Sequence, residues 1–325
     1  MKEKRLESLP SQNWHIRCAS IVIMIICFNQ AGCHFNKSPQ NDLDKMRLSG
    51  KVRSIKQISF EATEQFGKIK AGNRTDDYLD PLANDRYTIF DLKGNRIETG
   101  SFNLEDTIIS KTTYRYDSNG KVVEETFYDA EMRSSDIKQY VLNNDGNIIK
   151  EIRLGVINKL EASYEYDDIG NKVQEFHYND DGTVAWSRKY KHDKSGNVIE
   201  DSWYNRGNLK WNYRHKFDEV GNRIESIKYN HDESILEKEI SKFDSDGHKI
   251  EESFYKADGS IKWKNKLKYD SYGNKTELLI ESENGSQTIR QFEYSIDDHG
   301  NWVRSVVFEN DIPKFILERE IEYFQ

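Results

Sequence analysis

The chain has almost no cysteine: Cys18, Cys27 and Cys33 are the only three in 325 residues. Everything beyond residue 33 therefore folds without an internal disulfide. Long hydrophobic runs are scarce too. The one present, Ala19–Phe28, has 10 residues, against the roughly 20 that a spanning helix needs. Signatures of catalysis and metal binding are missing: there is no His-Glu-x-x-His, no Cys pair, no Gly-x-Ser-x-Gly and no phosphate loop. Positive charge is not in excess. Lys and Arg number 48 and Asp and Glu 56, a formal net charge of −8, which repels nucleic acid phosphate. Helix-period patterning is absent from residue 87 onward. These absences argue against an enzyme, a cofactor, a bound metal and a nucleic acid partner.

What is present is a repeat. Gly94, Gly120, Gly146, Gly170, Gly196, Gly221, Gly247, Gly273 and Gly300 follow one another at spacings of 24 to 27 residues, most often 26. A fixed period in this range marks a repeat array. Three residues before each Gly stands an Asp (Asn143 in one copy), and Asn follows the Gly in all copies but two, where Lys121 and His248 take its place. Asp-x-x-Gly makes a turn because the carboxylate can accept from backbone two residues on and Gly takes a positive φ without steric cost. The pairs Asp117/Gly120, Asp167/Gly170, Asp193/Gly196, Asp218/Gly221 and Asp270/Gly273 are accordingly structural turn residues. Asp244-Ser-Asp246 and Asp297-Asp298 invite a calcium reading, but calcium takes six to eight oxygens and most turns offer one Asp.

The flanks of each turn are aromatic and β-branched, the residues that suit a pleated surface. A second turn, as in Tyr178-Asn-Asp-Asp-Gly182, closes most copies. Each repeat is thus two strands and two turns. Side chains two apart on a strand share a face. Trp211, Tyr213, His215 and Phe217 form one face, and Asn212, Arg214 and Lys216 the other. Glu98, Glu124, Glu200, Glu225, Glu251 and Glu277 stand opposite the basic face, which predicts a solvated cross-strand charge ladder. The expected fold is all-β: an elongated antiparallel meander or spiral sheet of about nine 26-residue, two-stranded repeats. A sheet with one apolar face must coil, close on itself or dimerise; coiling into a spiral is the expectation.

In chain order, residues 1–32 read as a signal peptide of lipoprotein type, with Lys2, Lys4 and Arg5 ahead of the apolar run. Ala31-Gly32-Cys33 resembles the end of a bacterial lipobox, which makes Cys33 the lipid attachment site. Loss of four basic and two acidic residues with that segment moves the net charge from −8 to −10. Residues 33–50 form a tether, 51–86 an irregular N-terminal cap and 87–325 the array.

The phrase Tyr-Asp-x-x-Gly-Asn, clearest at Tyr116-Asp117, Tyr166-Asp167 and Tyr269-Asp270, resembles the YD repeats of Rhs-type proteins, and most closely short exported bacterial lipoproteins built of such repeats. Large Rhs proteins form hollow shells around a C-terminal toxin; this array is far shorter. The resemblance implies the fold and an exported location, lipid-anchored in the outer membrane and periplasmic or at the cell surface, but no activity; the expected function is that of a non-enzymatic envelope lipoprotein. It would be held to the membrane by its lipid alone and act as a scaffold for another protein or an envelope polymer. Two other readings stand beside it. Trp186, Trp211 and Trp263 recur at one repeat position and could stack on a cell-wall glycan, although core packing explains them as well. The third reading is a component of toxin delivery.

Overall fold

In a computed structural model, residues 41–75, 85–155 and 157–325 are described; the expected signal segment and Cys33 lie outside them. A short helix, α1 (Asp42–Met46), precedes 21 strands. These are β1 (Val52–Gln65), β2 (Lys68–Arg74), β3 (Arg86–Phe90), β4 (Arg96–Phe102), β5 (Ile108–Tyr116), β6 (Val122–Tyr128), β7 (Ser134–Leu142), β8 (Ile148–Leu154), β9 (Lys159–Tyr166), β10 (Lys172–Tyr178) and β11 (Val184–His192). There follow β12 (Val198–Asn205), β13 (Asn208–Phe217), β14 (Arg223–Asn230), β15 (Ile235–Phe243), β16 (Lys249–Lys256), β17 (Ile261–Tyr269), β18 (Lys275–Ser282), β19 (Gln287–Ile296), β20 (Trp302–Glu309) and β21 (Ile312–Tyr323).

From β3 to β21 each strand pairs antiparallel with the next. The array does not end in two free edges. β1 joins its ends: Val52–Glu61 pair with Phe315–Tyr323 of β21, and Ser54–Gln57 pair with Arg86–Ile89 of β3. The result is a closed antiparallel barrel of 20 strands, with β2 folding back on the free end of β1 outside the ring. This overturns the open meander or spiral of nine two-stranded repeats. The expected cap supplies the closing strand, and pairing the two exposed edges satisfies backbone groups that an open sheet would leave free.

Apolar burial follows the closure. The fully buried apolar side chains concentrate at the seam: Val307, Phe315 and Leu317 form one cluster, and Leu43, Val52 and Phe90 another. Elsewhere each strand's backbone neighbours only the two beside it in the ring, and most side chains on both faces are half-buried. Among the described residues no second layer packs against the wall. At about 4.8 Å per strand and a tilt near 40°, 20 strands enclose a ring about 40 Å across, which leaves a hollow interior rather than a core.

Nine repeat turns line one rim, and each is built alike. In Asp167–Asn171 the Asp167 amide donates to the Asn171 carbonyl (2.9 Å) and the Gly170 amide donates to the Asp167 carbonyl (3.0 Å). Asp167 Oδ1 accepts from the amides of Ile169 and Asn171, and its Oδ2 accepts from Asn171 Nδ2. Gly170 has φ +89°, a region that costs any side chain with a Cβ. The turns also stack: a Cβ on Gly196 would come within 3.3 Å of Asn171 Oδ1 in the preceding turn.

Residues 41–51 take the place of a tenth turn. On one side the amides of Asp42 and Leu43 donate to the Gly94 carbonyl, and Asn41 Nδ2 donates to the Lys93 carbonyl. On the other, Ser49 N–H donates to Asn301 Oδ1, and Asn301 Nδ2 donates back to the Ser49 carbonyl. Leu43 plugs the gap between Val52 and Phe90.

Candidate functional site

The two faces of the wall differ in how side chains meet. On one face ion pairs join adjacent strands: Arg115–Glu124 (3.0 Å), Lys191–Glu200 (2.8 Å), Lys216–Glu225 (2.6 Å), Lys242–Glu251 (3.0 Å) and Lys268–Glu277 (2.8 Å). Lys238 and Lys264 reach Glu225 and Glu251 from the far side, so carboxylates sit between two cations. The cations at the ends are 60–71% exposed. This is the charge ladder expected from the sequence, and it forms the convex outer wall. Pairs this exposed add little stability each. A membrane-spanning barrel carries an outward apolar band; here charged pairs occupy that wall. Among the described residues no helix is long and apolar enough to cross a membrane.

On the other face side chains reach past their neighbours. Tyr213 Oη donates to Glu237 Oε1 two strands away (2.7 Å), Lys138 on β7 pairs with Glu161 on β9 (3.5 Å), and the Arg188 guanidinium lies over Trp211, again two strands away (5.2 Å). Convergence of this kind identifies the concave face, so these residues line the lumen.

The lining is ordered by the repeat. The position five residues after the turn Gly is acidic in Glu125, Glu151, Glu175, Asp201 and Glu252, and the position six before it is tyrosine in Tyr114, Tyr140, Tyr164, Tyr190 and Tyr294. Tyr164 donates to Glu151, and the Glu125 and Glu175 carboxylates act electrostatically on Tyr140 and Tyr190. Burial, then these carboxylates, push the three phenols well above the ordinary tyrosine range. Lys172–Glu175 (2.7 Å), Arg188–Asp201 (3.7 Å) and Lys228–Glu237 (3.5 Å) add cations to the lattice. Burial holds Asp201 above the usual carboxylate range despite Arg188, and its Oδ1 has no hydrogen-bond partner. Burial also lowers His215 to about 4, helped by Arg223.

Trp186, Trp211 and Trp263 all face the lumen near the rim opposite the repeat turns, half-buried. Each has a cross-strand ring partner: His177 on Trp186 (centroids 3.6 Å apart), Trp203 on Trp211 (5.6 Å) and Phe254 on Trp263 (5.5 Å), all within 18° of parallel. Lys228 lies over Trp211 as well (5.1 Å). Sugar stacking needs an open indole face. Trp211 is covered by a ring and by cations, and Trp186 and Trp263 each have one face occupied. The three tryptophans are brought to one level but not to one point. Sequence reasoning missed His177, Trp203 and Phe254, although a spacing of eight or nine residues across a tight turn marks such partners.

The turn residues Asp117, Asp167, Asp193, Asp218 and Asp270, with their glycines, sit on the repeat-turn rim, away from the aromatic level. Their carboxylates are spent on backbone amides, as are those of Asp244, which accepts from the amides of Asp246 and His248. Among the described residues no group of three or more His, Cys, Asp or Glu is placed to hold a metal ion.

No family model matches the chain, and no curated protein matches it. Among solved structures it is similar to TcdB2-TccC3 without its hypervariable C-terminal region, at 15% identity over 69% of this chain and 12% of that one, with a TM-score of 0.39. It is also similar to the Tc holotoxin pore of Photorhabdus luminescens, at 13% identity over 78% of this chain and 17% of that one (TM-score 0.39). A porin-like protein from Bacteroides uniformis aligns at 12% identity over 84% of this chain and 98% of its own (TM-score 0.36). The chain thus spans about an eighth of the first toxin chain's length.

Proposed function

We propose that this protein is a non-enzymatic binding barrel of the bacterial envelope, of the YD-repeat type, that holds a ligand inside its lumen. One observation carries the reading: the concave face bears a lattice of paired aromatic and charged side chains that no second layer covers. A wall that serves only to fold would bury its aromatic face, as sheets ordinarily do. This one keeps it open around a space wide enough for an extended chain. The reading includes an N-terminal lipid on Cys33. The tether to it would leave from Asn41 on the repeat-turn rim, so the aromatic mouth would point away from the membrane.

The test is size-graded labelling. A full chain with its three cysteines changed to serine receives one new cysteine at Thr112 on the concave face. Ready reaction with small maleimides and exclusion of large polyethylene glycol maleimides is the expected result. Equal reaction with all sizes would sink the enclosed lumen. The glycan reading persists at the free faces of Trp186 and Trp263: cell-wall oligosaccharides that shield tryptophan from acrylamide would move it to first place.

A further inference from the structure

Cations in the lumen are ordinarily matched by carboxylates, as the Lys172, Arg188 and Lys228 pairs show. Two at the seam are not. Arg86 on β3 and Arg319 on β21 both stand opposite Gln57 of β1, one on each side. Arg319 Nε donates to Gln57 Oε1 (3.2 Å), and its guanidinium carbon lies over Trp302, 3.3 Å from the ring centroid. Among the described residues neither arginine has a carboxylate partner. Asp85, the residue before Arg86, is committed to Arg74 and to the Ser59 amide. The glutamates of β21, Glu318 and Glu320, alternate with Arg319 and belong to the outer face; Glu318 is paired there with Arg304. Arg86 combines an exposed side chain with a deeply enclosed position, which is what a group projecting into a hollow shows.

We propose that Arg86 and Arg319 form an oxyanion clamp in the lumen. It would hold a carboxylate, sulfate or phosphate group of the enclosed ligand. Two strand spacings separate their backbones, about 10 Å, and long guanidinium side chains on a concave face close that gap onto one group. Guanidinium is suited to the task because its planar fork pairs bidentately with such anions. Burial, together with repulsion from Arg86, lowers Arg319 to about 9; an incoming anion relieves both costs. Trp302 beneath Arg319 makes a built-in reporter. The inference rests on the lumen being open to ligands.

The experiment titrates the purified full chain with inorganic phosphate, sulfate and D-glucuronate at fixed ionic strength, with glucose as a neutral control, and follows tryptophan emission. A saturable change with at least one anion and none with glucose is expected, and it should vanish in Trp302→Phe. Arg86→Gln and Arg319→Gln should each weaken binding tenfold or more. Among the described residues the Arg86 side chain makes no hydrogen bond or ion pair, so its variant decides the matter even where Arg319→Gln fails to fold. No anion-dependent signal, or one that Arg86→Gln leaves intact, overturns the clamp. The maleimide labelling separates the two readings: an accessible lumen with no anion binding removes the clamp alone.

Discussion

Each main turn concentrates its stability in one side chain, a carboxylate in every copy but that of Asn143. Asp218 accepts from the Val220 and Asn222 amides and from Asn222 Nδ2. Asp117 makes the two amide bonds, but Lys121 cannot supply the side-chain one. At about 1 kcal/mol per net hydrogen bond, Asp218→Ala should cost about 2–3 kcal/mol and Asp117→Ala less, as read from urea midpoints. His215 gives a pH signature. Its folded pKa is depressed to about 4 from 6.5, so the unfolded chain binds the extra proton first. The stabilisation is complete above about 6.5 and falls away as pH drops toward 4. His215→Phe should flatten the wild-type difference across that window, and a parallel slope in both proteins would refute it. These turns were legible from sequence because Asp, Gly and Asn act locally. The lumen lattice was not, because most of its bonds cross between strands, with partners as far as 24 positions apart in Tyr213–Glu237, and depend on register.

At the scale of elements, the alternation of faces was legible too, since it needs only the period of two along a strand. Ring closure was hidden. It depends on Val52–Glu61 meeting Phe315–Tyr323, segments more than 250 residues apart, and on α1 filling one gap among the turns. The closing strand lies in the stretch the sequence marks only as an irregular cap. One variant tests the seam. Leu43→Ala leaves a void beside Phe90 and Val52 and should cost about 2–5 kcal/mol. Hydrogen exchange should then quicken first in β1 and β3, not in β10–β16; uniform acceleration would contradict a local role for the plug.

At the scale of the molecule, the expected spiral and the observed barrel share strands, turns and ladder, and differ in whether the two ends meet. Curvature accumulated over 20 strands decides it, and no local motif reports that sum. Shape therefore distinguishes them. A compact globule of about 285 residues has a radius of gyration of about 19 Å; a hollow ring about 40 Å across has about 22 Å. Small-angle scattering from the monomer should give the larger value with a central depletion of mass, and the smaller value would mean a collapsed wall.

The seam has a consequence for how such a chain can change. In a linear array, repeats stack like coins: stability is nearly a sum over neighbours, and one more or one fewer alters little. A ring resembles a cask, in which the number of staves is part of the design. Removing one 26-residue unit would ask every remaining hairpin to bend further, or pull β1 away from β21. The period can drift between 24 and 27 residues without harm, because slack is taken up in turns. The count cannot, and loss of a single unit should unmake the vessel as a whole rather than shorten it.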